Sequence, residues 1–223
     1  METVPLKVLL IGSTGPMGRA VLRRADPARV ALRAFARTPA ALTSDATLPR
    51  DIDVVQGDVR DRASIERALA GVDAVICVLG SMPFQKASQG LLEEGTRNLL
   101  AAMAQTGCPR LVVVTGMGAG SSRGHGPGFY EWFLRPVILR SVYQDKERQE
   151  KLVQESGLDW TIVRPSMLVK TTPARPIKAR SSLGVREKMG SISREDVADW
   201  LLTETLSPSH RREIVHLYTQ AKA

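Results

Sequence analysis

The stretch that decides the fold runs from Leu6 to Gly18 and reads LKVLLIGSTGPMG. Its first part, Leu6 to Ile11, is a short apolar run of the kind found in buried parallel strands. A glycine-rich turn follows at once, and Gly18 to Ala25 has helical spacing. A strand, a glycine turn and a helix in direct succession are typical of a loop that receives a phosphate. Glycines let the backbone approach an anion, and the positive end of the helix faces it.

The alternation of strand and helix continues along the chain. Further strands are predicted at Val30 to Ala36, Ile52 to Gln56, Asp73 to Leu79, Arg110 to Thr115 and Trp160 to Arg164. Helices are predicted at Arg62 to Ala70, Leu91 to Thr106 and Gln144 to Ser156, and Asp61 is a predicted cap of the first of them. Because crossovers between parallel strands are right-handed, the helices cover both faces of the sheet. We therefore predict an α/β fold with a doubly wound parallel sheet, in a single domain over residues 1–223.

The pattern weakens beyond Pro165, and we expect about 165–192 and 207–223 to form a small substrate-side region. The Lys- and Arg-rich segment from Lys170 to Lys188 predicts an extended or hairpin structure. Its charge either attracts an acidic substrate or is simply solvated. Ser193 is a predicted cap for a helix that reaches Leu206, and a last strand is predicted at Ile214 to Tyr218.

Composition limits the possible functions. Hydrophobic residues make up 43% of the 223 residues and aromatic residues only 4%, which predicts an aliphatic core in one globular domain. The formal net charge of +8 is spread from Arg19 to Lys222, so phosphates on a small ligand explain it as well as a polyanion would. Since no helix-turn-helix or zinc signature is present, we expect no nucleic-acid partner.

The sequence also predicts no membrane or metal association. The longest apolar run, near Val72 to Leu79, is too short to cross a bilayer, and no signal peptide is recognisable, so a cytoplasmic location is expected. Cys77 and Cys108 do not form a disulfide framework or a metal-ligand pattern. The three histidines are far apart in the sequence, so no metal site is predicted.

The glycine turn is the strongest motif. It consists of Gly12, Ser13, Thr14, Gly15, Pro16, Met17 and Gly18. Its position between a strand and a helix favours a diphosphate-binding loop over an ordinary turn, although the spacing differs from Gly-x-Gly-x-x-Gly. Pro16 suits a first helical turn, because its missing N–H would have no partner there.

Two residues at the ends of the next strands suggest how the rest of a dinucleotide is bound. Arg37 stands where an NAD-preferring site usually has an acidic residue, and it predicts NADP(H), because a guanidinium can pair with a 2′-phosphate. The alternative is a solvated surface arginine. Asp58 closes the third strand and either receives the adenine or only caps its own turn.

The chain resembles an atypical short-chain dehydrogenase/reductase of the NAD(P)-binding NmrA-like group, with the closest similarity to the flavin reductase and biliverdin-IXβ reductase branch. The resemblance covers residues 6 to about 218 and implies a Rossmann-like fold. It is carried by Gly12-Ser-Thr-Gly-Pro-Met-Gly18, Phe35-Ala-Arg37, Gln56-Gly-Asp-Val59, Asp73-Ala-Val-Ile76, Glu94-Gly-Thr-Arg-Asn98, Glu155-Ser-Gly-Leu158, Val163-Arg-Pro165 and Ser191-Ile-Ser-Arg-Glu-Asp-Val197.

The resemblance implies roles for further residues. Asp58 and Val59 would contact the adenine, and Lys146 would lie near the nicotinamide ribose. The nicotinamide side of the cofactor would be lined by Leu79, Gly80, Ser81, Pro165, Ser166 and Met167.

Two departures from the family pattern affect the chemistry. Family members pair a Tyr with a Lys four positions later, whereas Tyr143 and Lys146 are three apart, which still puts them on one helix face. Gly116 stands where the flavin reductase branch has a serine, so the hydroxyl near the transferred hydride would come from Thr115 or elsewhere. The predicted catalytic residues are Lys146, Tyr143 and Thr115.

A glycine-dense segment and an aromatic cluster follow the fifth strand. They either cover a planar substrate or lead into a helix that packs on the domain or on a second subunit, so we expect a monomer or a homodimer. The candidate substrate residues are His125, Phe129, Tyr130 and Trp132.

Together these features predict an NADPH-dependent reductase that passes a hydride to a conjugated carbonyl, a flavin-like molecule or an aromatic polyketide-like molecule. The alternative is a non-catalytic NADP(H)-binding sensor or assembly factor of the NmrA-like type.

Overall fold

The computed structural model describes residues 4–81, 89–117, 140–171, 176–184, 187 and 189–221. Strands and helices alternate along them. The strands are β1 (Leu6–Ile11), β2 (Val30–Ala36), β3 (Asp53–Gln56), β4 (Ala74–Cys77), β5 (Arg110–Val114), β6 (Asp159–Pro165), β7 (Leu168–Val169), β8 (Ile177–Arg180), β9 (Met189–Gly190), β10 (Ile192–Ser193) and β11 (Glu213–Gln220). The helices are α1 (Pro16–Arg24), α2 (Ala40–Thr43), α3 (Arg62–Ala68), α4 (Leu91–Thr106), α5 (Arg140–Glu155) and α6 (Arg194–Leu206).

The main sheet has the strand order β3-β2-β1-β4-β5-β6-β11-β8. The strands from β3 to β11 in this order are parallel, while β8 and β9 pair with β11 in the antiparallel sense. The order of the first six strands is that of a doubly wound fold, which confirms the predicted fold class. Ligands bind such sheets at the carboxyl edge, near the point between β1 and β4 where the strand order reverses.

Two apolar layers enclose the sheet. Val8 and Leu10 point into one layer, where α1 packs against α6, and Leu9 and Ile11 point into the other, which contains α3, α4 and α5. This alternation follows from the two-residue period of a strand. Both faces are therefore buried, and the carboxyl edge is left to bind a ligand.

The predicted strands and helices are all present, and the differences lie at their ends. Helix α1 begins at Pro16, two residues before the predicted start, because proline fits the first helical turn. The predicted caps are confirmed: the side chain of Asp61 accepts a hydrogen bond from the backbone N–H of Ala63, and the side chain of Ser193 accepts one from Asp196. The short helix α2 and the two-residue strands β7, β9 and β10 were not predicted, since such short elements have no periodicity to detect.

Candidate functional site

The glycine turn between β1 and α1 is packed against its surroundings at two positions. Gly12 has φ +84°, and a Cβ there would lie 2.7 Å from the carbonyl oxygen of Val78. A Cβ on Gly18 would lie 2.4 Å from the carbonyl oxygen of Gly12. Only glycine fits at either position, so the chain's own packing accounts for both residues and brings the start of α1 to the carboxyl edge of the sheet.

Gly15 is different, because the protein itself does not require a glycine there. Its φ of −76° and ψ of 166° are open to any residue. The nearest atom to a Cβ at Gly15 would be the carbonyl oxygen of Gly12, at 3.4 Å. The space above Gly15 is therefore open at the N-terminus of α1, where backbone N–H groups attract an anion. This arrangement fits the diphosphate of a dinucleotide.

The side chains of the turn hold the loop in place. The hydroxyl of Ser13 is buried and donates a hydrogen bond to the carbonyl oxygen of Phe35 at 2.7 Å, which ties the loop to β2. The carbonyl oxygen of Thr14 accepts a hydrogen bond from Nε of Arg19 at 3.1 Å. Met17 is buried in the core. A ligand would consequently meet the backbone of Ser13 and not its hydroxyl.

Arg37 is exposed just after β2, at the carboxyl edge. Its carbonyl oxygen accepts a hydrogen bond from Gln56 at 3.3 Å. Within the described part of the chain, its guanidinium has no hydrogen bond or ion pair. This placement fits the predicted contact with a 2′-phosphate, which stays a prediction.

Asp58 and Val59 form a fixed turn after β3. The carboxylate of Asp58 accepts a hydrogen bond from the backbone N–H of Arg60 at 3.0 Å, so it caps its own turn. The carbonyl oxygen of Val59 accepts a hydrogen bond from the side chain of Asn98 on α4 at 2.9 Å. The predicted role of these residues at the adenine stays a prediction.

The segment after β4 contains a buried polar atom without a partner. Leu79 and Ser81 are partly buried, and Gly80 is exposed. The hydroxyl oxygen of Ser81 is buried and has no hydrogen-bond partner among the described residues. Buried hydroxyls are normally hydrogen-bonded, so a polar ligand group at this edge would satisfy it.

The predicted nicotinamide-side residues after β6 are placed differently from one another. The carbonyl oxygen of Pro165 accepts a hydrogen bond from the backbone N–H of Met117 at 3.1 Å. The hydroxyl of Ser166 donates to the carbonyl oxygen of Gly190 at 2.6 Å, and Met167 is 66% exposed. Of these three, only Met167 presents its side chain to solvent.

Lys146 reaches the carboxyl end of β5 from α5. Its Nζ lies 5.2 Å from the centre of the Tyr143 ring and 2.9 Å from the place that a Cβ on Gly116 would occupy. Burial lowers the pKa of Lys146, and the negative charge of Glu150 opposes this shift. A partly desolvated amine of this kind can give or accept a proton closer to neutral pH than a solvated lysine can.

The two candidate hydroxyls beside Lys146 form internal hydrogen bonds. Tyr143 is 8% exposed, and its hydroxyl donates to the carbonyl oxygen of Met117 at 2.8 Å. The hydroxyl of Thr115 donates to Oε1 of Glu150 at 2.6 Å. The structure thus brings the three predicted catalytic residues together, and their catalytic role stays a prediction.

Sequence reasoning missed Glu150 and Arg164. Nε of Arg164 donates to Oε1 of Glu150 at 2.9 Å, and its NH2 group donates to Oε2 at 2.5 Å. Both side chains are less than 5% exposed. The four-residue spacing of Lys146 and Glu150 on one helix was a signal that could have identified the carboxylate.

The candidate substrate residues His125, Phe129, Tyr130 and Trp132 lie outside the described residues. Over the ranges that the structure does describe, no three His, Cys, Asp or Glu side chains are grouped so that they could hold a metal ion. None of the described helices is both long and apolar enough to cross a membrane.

Known proteins similar to this chain include named reductases. The chain is 32% identical over 186 residues to the (4-alkanoyl-5-oxo-2,5-dihydrofuran-3-yl)methyl phosphate reductase of Streptomyces griseus, a match that covers 82% of this chain and 55% of the relative. It is 25% identical over 211 residues to the NAD(P)H azoreductase of Xenophilus azovorans, covering 92% of this chain and 65% of that protein. The chain thus spans about half to two thirds of the length of these relatives.

The fold is shared with solved structures of similar size. ChuY of Escherichia coli O157:H7, described as an anaerobillin reductase, superposes with a TM-score of 0.77 at 20% sequence identity, over 97% of this chain and 98% of ChuY. At this identity the likeness concerns the fold.

A family model described as NAD(P)H-binding matches residues 12–208, which include the glycine turn and most of the sheet. This match confirms the predicted class of cofactor and agrees with the resemblance to NAD(P)-binding Rossmann-like proteins. The chain therefore belongs to the NAD(P)H-binding family.

Proposed function

We propose that this protein is an NADPH-dependent reductase that passes a hydride to a small planar acceptor, such as a conjugated carbonyl, a flavin-like molecule or an aromatic polyketide-like molecule. The observation that carries the proposal is the position of the Lys146 amine at the carboxyl end of β5. β5 is two strands from β1 in the sheet, so this amine is about 10 Å along the edge from the glycine turn. A dinucleotide bound by its diphosphate at the turn would extend its nicotinamide towards Lys146.

Bound NADPH would supply the hydride. The chain would hold the acceptor in place and provide the proton that its oxygen or nitrogen needs once the hydride has been received. Because the hydroxyls of Tyr143 and Thr115 both donate to internal acceptors, we assign the proton donation to the ammonium of Lys146. The amine would regain its proton from water. Its lowered pKa supports this role, since proton donors work best with a pKa near the working pH.

The Arg37 guanidinium supports NADPH over NADH, because a cation at this edge can pair with the 2′-phosphate. Reductase names among the relatives support the class of reaction. The first of those names describes a phosphorylated furanone derivative, which is a conjugated carbonyl compound. We propose the same class of substrate, conjugated carbonyl compounds, for the present chain, but not this particular compound.

A second candidate function is NADP(H) sensing without turnover. It is favoured by one observation: the hydroxyl of Tyr143 donates to the carbonyl oxygen of Met117, so the tyrosine of the family's proton-donating pair is engaged within the protein. A sensor must bind NADP⁺ and NADPH with different affinities, because it can only report states that it distinguishes.

One experiment separates the two functions. Wild type is mixed with NADPH and a panel of flavins, quinones, tetrapyrroles and aromatic ketones, and the nicotinamide absorbance is followed in a single turnover. A reductase should oxidise NADPH with at least one acceptor, and Lys146→Ala should slow that step by about two orders of magnitude. Lys151→Ala, which removes an exposed lysine of the same helix, should leave the rate unchanged.

Equal rates in wild type and Lys146→Ala would remove Lys146 from the mechanism. Absence of acceptor-dependent oxidation in wild type, together with unequal affinities for NADP⁺ and NADPH, would favour the sensor.

A further inference from the structure

A buried polar network lies beneath the candidate site, between α5 and the ends of β5 and β6. Its centre is the carboxylate of Glu150, which accepts a hydrogen bond from Thr115 at 2.6 Å and two from Arg164 at 2.9 and 2.5 Å. The side chains of Glu150 and Arg164 are 4% and 3% exposed. All three residues are buried. They lie at the same edge of the sheet that the side chain of Lys146 reaches from α5.

The register of the sheet explains how the network is built. Val114 pairs with Val163, so the next residues along, Thr115 and Arg164, are neighbours on the face covered by α5. The backbone N–H of Thr115 donates to the carbonyl oxygen of Val163 at 2.9 Å, which fixes this end of β5. Glu150 approaches from α5 and closes the network over both strands.

Stability alone does not account for such a network. A buried ion pair loses its hydration, and replacing it with apolar residues of similar volume is often neutral or stabilising. The apolar layer around Ile162, Val113 and Val153 could continue to the sheet edge without any charge. The buried carboxylate of Glu150 is therefore better explained by its effect on the neighbouring side chains.

Lys146 is the neighbour that depends on this charge. It lies four residues before Glu150 on α5, so both side chains are on one face of the helix. The other groups that face this pair are the ring of Tyr143 on α5, the uncharged Thr115 and Gly116 after β5, and Arg164 on β6. The next residue across the sheet is His216 on β11, which pairs in register with Arg164. Among the described residues, Glu150 is the only carboxylate whose negative charge raises the pKa of Lys146.

We propose that Glu150, held by Arg164, is a positioning residue of this site: it orients the Thr115 hydroxyl and supplies the negative charge on the helix face that carries Lys146, at the end of β5. The proposal deepens the proposed reductase function, on which its catalytic consequence rests. Without the carboxylate, desolvation would act on Lys146 unopposed and the amine would lose its proton at lower pH. A deprotonated amine cannot give a proton to the acceptor.

The test measures the charge of Lys146 directly. Protein labelled with ¹³C-lysine is titrated and the Cε resonance of Lys146, identified by its absence in Lys146→Arg, is followed by NMR. In Glu150→Gln the pKa of Lys146 should be lower than in wild type by about one pH unit or more. The pH above which the turnover number falls should move down by the same amount, with activity recovering at lower pH, while the affinity for NADPH changes less than threefold.

Two further variants make the comparison specific. Glu155→Gln removes a carboxylate of the same helix that is exposed and paired with Lys151, and it should leave the pKa of Lys146 unchanged. Glu150→Asp keeps the charge and should return the pKa of Lys146 most of the way to its wild-type value, although its shorter side chain loses the contact with Thr115. If Glu150 had only a structural role, the pKa of Lys146 would not follow the charge at position 150.

Glu150→Gln leaves Arg164 buried beside a neutral partner and so risks unfolding. The double variant Glu150→Gln with Arg164→Met removes both charges and should fold, with the pKa of Lys146 still lowered. If Lys146 titrates as in wild type in a folded Glu150→Gln or double variant, the proposal is wrong. If the pKa falls as expected but no acceptor is reduced by wild type, the positioning role stands and the reductase function fails.

Discussion

The amine of Lys146 occupies the space that a side chain at Gly116 would need, because Nζ lies 2.9 Å from the place of a Cβ there. Gly116 also has φ +137°, a conformation that side-chain-bearing residues rarely adopt. Gly116 stands where the flavin reductase branch, which this chain resembles, has a serine. The position of the Lys146 amine and the positive φ therefore give a physical reason for glycine here. It gives the lysine access to the end of β5.

This relationship predicts the effect of Gly116→Ala. The methyl group should displace the Lys146 amine and lower single-turnover NADPH oxidation about tenfold or more. The strained backbone should cost about 1 kcal/mol of unfolding free energy. Gly107→Ala is the matched control, since Gly107 also has positive φ but has no atom within 4 Å of its Cβ position. Equal loss of activity in both variants would show that backbone strain alone is responsible.

Gly15→Val tests the diphosphate site. The backbone at Gly15 accepts any residue and the protein leaves room for the side chain, so thermal unfolding should change little. Valine would fill the space above the start of α1, and calorimetry should find that NADPH and NADH both bind at least about a hundredfold more weakly. Gly18→Ala should instead unfold or lose several kcal/mol, because its Cβ meets the Gly12 carbonyl. Normal cofactor binding by Gly15→Val would place the diphosphate elsewhere.

Arg37→Glu tests the choice of cofactor. Loss of a charge-assisted hydrogen bond should cost roughly 1.5–3 kcal/mol, so NADPH should bind about ten- to a hundredfold more weakly while NADH is spared. Arg29→Glu makes the same change of charge at the opposite end of β2 and should leave both affinities unchanged. A wild type that prefers NADH, or a variant that binds both cofactors as wild type does, would contradict the assignment.

The buried thiols predict a loss of stability in alkali. Burial raises the pKa of Cys77 and of Cys108 from 9.0 to about 11, so the folded protein keeps protons that the unfolded chain releases. The contribution of the two thiols to the free energy of unfolding is complete below pH 9 and is lost as the pH rises towards 11. At pH 10 the loss is about 1.4 kcal/mol per thiol. Urea unfolding at pH 8 and 10 should accordingly show a smaller decrease for Cys77→Ala than for wild type. The same decrease in both proteins would exclude the contribution of this thiol.

The sequence by itself determined the doubly wound sheet and the glycine turn. Short apolar runs bounded by turn residues, such as Leu6 to Ile11, are typical of buried strands, and helical spacing between them predicts crossovers on both faces. The position of the glycine turn after β1 follows from chain order alone. Local chemistry also predicted the caps at Asp61 and Ser193, because a cap and the N–H that it accepts from lie two or three residues apart.

Only the tertiary structure decided which polar groups meet at the site. Thr115 follows β5, Glu150 lies on α5 and Arg164 on β6, and nothing in their sequence spacing indicates that they share hydrogen bonds. The same holds for Lys146 and Gly116, and for the Tyr143 hydroxyl, which is bonded to Met117. The spacing of apolar residues along the sequence indicates which face of a helix or strand is buried. Which side chains touch depends on the register between the elements, which is set only when they pack. The charge environment of Lys146 is therefore a property of the packed fold.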